Sequence, residues 1–356
     1  MDIISSAGIS IGFDRGIIHD LAIEVGGKTL RPLHRAPWVV SGEALPDSIA
    51  PVERRLAGDF FCAPFAQSAP GVPIHGWPAN GTWQRAETME DAGGTSVVYE
   101  LRESVSGAKL TKKIALRHGH PVVYQTHVFE GGQGSLPVAH HAMLHVPGGA
   151  RLSFSPKQDG RTPPEALESD PARGRSALAY PQRFADLSKV RAVDGGHADL
   201  RSYPFDTDHE DLVVLTERPE ARIGWSAAVA PTQGFIFFAL KDTRALPQTV
   251  LWMSNGGRCY APWNSRHIAV LGIEEAATAL HLAPEEMRPG KANGVPFALH
   301  LEPARTTAVR YAFGAVPVPP GWSEIADIRL GEDVVVLADR SGSERSLPFD
   351  TGFLAD

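Results

Sequence analysis

The chain has 356 residues, 43% of them hydrophobic and 21% charged, a balance that fits a globular protein with a sizeable core and excludes a disordered or fibrous one. The net charge of -7 contains no basic run, which argues against nucleic acid as a partner. The longest apolar run, around "FIFFAL", is far too short to span a membrane, so a soluble chain without membrane partners is expected.

The opening "MDIISSAGIS" lacks the basic and long apolar segments of a secretion signal, so the expected compartment is cytoplasmic. The two cysteines, Cys62 and Cys259, lie far apart. They make neither a disulfide framework nor a CxxC metal pair and are expected to be buried free thiols.

A period of two then dominates. In "TSVVYELRE", Val97, Tyr99 and Leu101 share one face, and Val98, Glu100 and Arg102 the other. The runs "KLTKKIALR", "PVVYQTHVFEG", "LPVAHHAMLHV" and "ARLSFSP" follow, divided by Gly, Pro, Asn and Asp clusters. Residues 156–189 are polar and rich in Pro and Arg, and read as a long surface excursion, a candidate lid. Beyond it come "EDLVVLTE", "GFIFFALKD", "TVLWMSN", "RHIAVLGIEE", "TTAVRYAFGAV" and "EDVVVLAD", with one short helix candidate at 283–290. A terminal strand pair is expected from about residue 321. No linker or repeat is visible, so the reading is all-β, one large antiparallel β-sandwich over residues 1–356.

Three stretches carry candidate chemistry. "IHGWPANGTW" sets His75, Trp77 and Asn80 beside a Pro-rich loop, and tryptophans stack on the C–H faces of sugars. In "AHHAMLHVPGG", strand alternation places His141, Met143 and His145 on one face and His140 on the other. Two histidines on one strand fall short of a zinc site, and no HExxH spacing is present. "LWMSNGGRCYAPWNSRHIAVLGIEEA" packs Trp252, Arg258 and Trp263 ahead of an apolar strand that ends in Glu274 and Glu275. Only one of these glutamates shares a given face, and burial there would tune it as a general base. There is no phosphate loop and no GxSxG elbow.

Taken together, "HGWPANGTW", "HAMLHVPG" and "GIEEA" resemble the motif series of the aldose 1-epimerase (galactose mutarotase) family, over roughly residues 10–315. The resemblance implies a galactose mutarotase-like supersandwich without metal or cofactor, acting on a small-molecule carbohydrate. It implies His141 as general acid, Glu274 as general base and His75 as a sugar contact. It also implies a substrate-binding aspartate, for which "DTDHEDLVVL" offers Asp208 or Asp211. The pattern departs at Ala79, where the family's HG segment carries an arginine, and Arg54, Arg55 and Arg258 are the candidates to replace it. Two alternatives stay open: a sugar-binding or sensing protein on the same scaffold, and a different carbohydrate enzyme pairing Glu274 with Asp208 or Asp211. A bulge would exchange His140 with His141. Oligomeric state is not legible.

Overall fold

A strand that alternates apolar and polar residues buries only one face, and it needs partners for its backbone N–H and C=O groups. The computed structural model, which describes residues 1–67, 70–287, 291–292 and 294–355, meets both needs with two large antiparallel sheets. Among the described residues one sheet has 11 strands and the other 9. Val97, Tyr99 and Leu101 are buried in the nine-stranded sheet. "TTAVRYAFGAV" becomes Thr306–Pro317, flanked by Phe235–Asp242 and Val122–Gly131. Its Val309, Tyr311 and Phe313 face the other sheet. Each such fully buried side chain contributes roughly 1.5–3 kcal/mol of burial free energy.

The strands of the histidine and glutamate motifs are neighbours in the centre of the eleven-stranded sheet. Val138–His145 lies between Asp59–Cys62 and Val270–Ala277, and Gln248–Asn255 and His209–Glu217 follow. The outer face of this sheet is covered by a second apolar cluster. It draws Trp38, Val52, Leu56 and Phe65 from the segment before the nine-stranded sheet, and Trp263 from the loop after Gln248–Asn255. Short helices Pro37–Ser41, Pro51–Arg54 and Gly76–Asn80 shape that cover. Their period is too brief to register in the sequence.

The 156–189 segment begins and ends as sheet, with Lys157–Arg161 paired to both His209–Glu217 and Arg183–Phe184. Between these strands, Glu168, Leu178 and Gln182 are buried. The chain's end forms three strands where a pair is expected: Ile325–Leu330, Val334–Asp339 and Glu344–Pro348. They cover the outer face of the nine-stranded sheet, burying Trp322, Ile328 and Leu337 against Trp225, Phe238 and Val316. The helix expected at 283–290 is one 3₁₀ turn, Pro284–Glu286, and positions 288–290 lie outside the described residues. Cys62 is buried, but Cys259 is exposed, because it sits in a loop where its Sγ meets only the carbonyls of Ala172 and Arg173.

Charges also occupy the space between the sheets. Glu275 pairs with Lys241 and accepts hydrogen bonds from Ser226 and Thr249, while Glu217 pairs with Lys157 and Lys241. Further along, His140 and Gln125 meet the buried carboxylate of Asp59. Burial penalises the charged form of Glu275, but the ammonium groups of Lys241 and Lys157 outweigh it and hold the carboxyl below its usual range.

Candidate active site

Antiparallel register pairs His140 with Glu275 and His141 with Glu274. Directly opposed residues project to the same side of a sheet. His140 and Glu275 therefore point into the sandwich, and His141 and Glu274 point to the outer face. There His141 Nε2 stands 3.2 Å from Glu274 Oε1, with both side chains almost fully buried. Gly272, two residues before Glu274, makes room for the carboxyl: a Cβ there would lie 2.8 Å from Glu274 Oε1 and 3.0 Å from Trp252 Cβ.

The pair forms the floor of a pocket of about 230 Å3. The ring of Phe60 stacks on His141 at 4.5 Å, and Trp252 meets it edge-on at 5.5 Å. His75 approaches from the covering segment, 5.3 Å from His141 ring to ring. Its position depends on the left-handed turn at His75 and Gly76, with φ of 65° and 72°. A side chain at Gly76 would collide with the Ala63 carbonyl, its Cβ 1.9 Å from the oxygen, so the HG dipeptide is a steric necessity here.

Arg258 is the one Lys or Arg lining the pocket among the described residues. Its guanidinium lies over Trp263 at 4.6 Å, and its Nε donates to Glu168 Oε1 at 2.7 Å, with Glu210 Oε1 at 3.6 Å. Glu210 in turn accepts from the Trp252 indole N–H and from Ser254 Oγ. Arg54 meets Asp47 and Arg55 reaches the Pro51 carbonyl through its Nε, and neither lines the pocket.

Of the residues singled out in the sequence, His75, His141, Trp252, Arg258, Trp263 and Glu274 line this pocket. The others do not. Asn80 uses its amide to tie the cover together, accepting from Val52 N and donating to the carbonyls of Ile74 and Gly76. Trp77 packs against the core between the sheets. Asp208 is exposed in a left-handed turn. Asp211 is fully buried and accepts from Ala177 N, Leu178 N, the Tyr180 hydroxyl and His209 Nδ1, so it anchors the 156–189 excursion. His145 lies at the exposed end of its strand beside His34.

Three carboxylates escaped the sequence reading: Glu53, Glu168 and Glu210. Glu210 had a signal, since it shares strand parity with Leu212, and Leu212 lines the pocket. Glu53 comes from the one-turn helix Pro51–Arg54 and Glu168 from an irregular segment, and no periodicity reveals the direction of either.

Burial dominates the electrostatics. It pushes His141 down to about 4 and His75 well below the usual imidazole value, with the neighbouring imidazole adding to the fall at His75. The same burial pushes Glu274 well above the usual carboxyl range and raises Glu53 and Glu210 against the pull of Arg258. Burial thus disfavours the charged form of both His141 and Glu274. No group of three or more His, Cys, Asp or Glu is placed to hold a metal ion among the described residues.

No protein-family model and no curated protein matches the sequence. The fold has clear counterparts among solved structures. A galactose mutarotase related enzyme from Lactobacillus acidophilus superposes with a TM-score of 0.55 at 12% identity, over 90% of this chain and 98% of that one. An inferred aldose 1-epimerase from Escherichia coli K12 gives 0.56 at 14%, over 89% and 98%. An inferred mutarotase from Salmonella typhimurium gives 0.56 at 12%, over 89% and 90%. The chain thus has the galactose mutarotase-like, mostly antiparallel β-sandwich fold.

Proposed function

We propose that the protein is an aldose 1-epimerase-type isomerase that interconverts the anomers of a free aldose. The observation that carries this reading is the His141–Glu274 pair: a buried imidazole and carboxyl 3.2 Å apart, lining a pocket flanked by aromatic rings.

Anomer exchange needs one group to take a proton and one to give it. The base removes the proton from the anomeric hydroxyl as that oxygen becomes a carbonyl. The bond from the anomeric carbon to the ring oxygen breaks, and the ring oxygen takes the acid's proton. Rotation about the adjacent carbon–carbon bond presents the other carbonyl face. The ring oxygen then attacks it, and both protons return. His141 serves the ring oxygen and Glu274 the anomeric hydroxyl, and the roles reverse on closure. Each positioned transfer contributes on the order of 100–10,000-fold. Phe60, Trp252 and Trp263 offer ring faces and edges to the sugar's C–H faces, and His75 and Arg258 bond its hydroxyls.

The test is exchange-resolved NMR of purified protein with a panel of aldoses. Faster exchange than in buffer, abolished by His141→Ala, supports the reading. A folded protein that accelerates no sugar, yet shows sugar-dependent quenching of tryptophan fluorescence, would replace it with a sugar sensor.

A further inference from the structure

The lining of the pocket says more than that a sugar enters. At about 230 Å3 it lies below the roughly 300–1,000 Å3 of sites for drug-sized ligands, which suits a single pyranose ring and no longer chain. Its charge is lopsided. Glu53 and Glu274 face the cavity, and Glu168 and Glu210 stand directly behind the one lining cation. The charge of Arg258 already faces those two carboxylates through its Nε. A phosphorylated or acidic sugar would bring further negative charge to a site with no free cation among the described residues.

The polar lining is sparse. The reacting pair takes the anomeric hydroxyl and the ring oxygen. Glu53, His75, Arg258 and Trp263 are the other lining residues with polar side-chain groups, and the Trp252 indole N–H is spent on Glu210. A full aldohexose brings four further hydroxyls, and one turned to an apolar wall without a partner costs binding. The rest of the wall is apolar and of two kinds. Flat rings, Phe60 and Trp252 among them, suit C–H faces. Branched aliphatic side chains, Val52, Leu56, Ile74, Leu167 and Leu212, have no flat face to stack and suit a methyl group.

We propose that the substrate is a neutral 6-deoxyhexose, whose exocyclic methyl packs against the aliphatic wall of the pocket. This rests on the anomer-exchange reading above for its chemistry, but its recognition is tested separately. The wild-type protein is given three matched pairs: L-fucose with L-galactose, L-rhamnose with L-mannose, and 6-deoxy-D-glucose with D-glucose. D-Glucose 6-phosphate is the charged control. Exchange is followed by NMR and binding by quenching of tryptophan fluorescence.

In at least one pair the 6-deoxy sugar is expected to exceed its parent by roughly 10–100-fold in both kcat/KM and affinity, the range an apolar pocket achieves against an added hydroxyl. The 6-phosphate is expected to show no binding. Preferential binding of a deoxy sugar without exchange would uphold the substrate class and overturn the enzymatic reading. Exchange with no preference in any pair, or with the 6-phosphate preferred, would overturn the substrate class and leave the enzyme. Neither binding nor exchange would overturn both.

Discussion

Two adjacent glutamates offer a sharp test, because the strand sends them to opposite environments. Glu274 faces the pocket, where burial raises its carboxyl well above the usual range. Glutamine at this position preserves the shape beside Gly272 and His141, and it removes only the ability to exchange a proton. Glu274→Gln should cut anomer exchange by on the order of 100–10,000-fold, about 3–5.5 kcal/mol of barrier, and leave stability nearly unchanged. Glu275 faces the interior as a carboxylate paired with Lys241. Removing one partner of a buried pair costs about 3–5 kcal/mol. Lys241 keeps Glu217 at 3.3 Å, which places Glu275→Gln near the lower end, about 3 kcal/mol. Exchange rates by NMR and urea unfolding midpoints on both variants give the assay. A folded Glu275→Gln protein as inactive as Glu274→Gln, or a fully active Glu274→Gln protein, would refute the assignment of faces and roles.

Stability should also fall steeply as pH drops from about 6.5 toward about 4. His34, held by burial at about 3, His141 at about 4, and His75, His127 and His267 well below the usual value all bind protons more readily when unfolded. Their stabilisation is present above the unfolded pKa and lost on acidification. Glu274, raised by burial, has the opposite sign but is outnumbered. A flat profile of urea midpoints across that window would contradict the burial of these rings. Gly272→Ala should force the Glu274 carboxyl away from the 2.8 Å approach of the new methyl, lowering kcat by up to roughly 100-fold, with a smaller loss of stability; an unchanged kcat would remove Glu274 from the reaction. His75→Ala should weaken kcat/KM by roughly 10-fold through a lost hydroxyl contact, and an unchanged KM would place His75 outside the sugar's reach.

Much of this molecule is legible in its sequence, because strand alternation is a local property. The period of two in "TSVVYELRE", "HHAMLH" and "GIEEA" assigns strands and tells which of two neighbours share a face, since successive side chains must point to opposite sides. That alone separates His140 from His141 and Glu274 from Glu275, while His75 is singled out by the resemblance of its HG segment to the aldose 1-epimerase motif. What alternation leaves open is which face is which, and which strand lies beside which. The sheet order decides that: it sets Val138–His145 against Val270–Ala277 in the register that opposes His141 to Glu274. Register between strands well over a hundred residues apart is a property of the whole packed sheet, so no local pattern contains it. The same holds for Asp208 and Asp211, one carried into solvent by a turn and the other buried beneath the excursion it anchors. It holds equally for Glu53, which lines the pocket from a one-turn helix, and for Glu168, which meets Arg258 from an irregular loop only through tertiary packing.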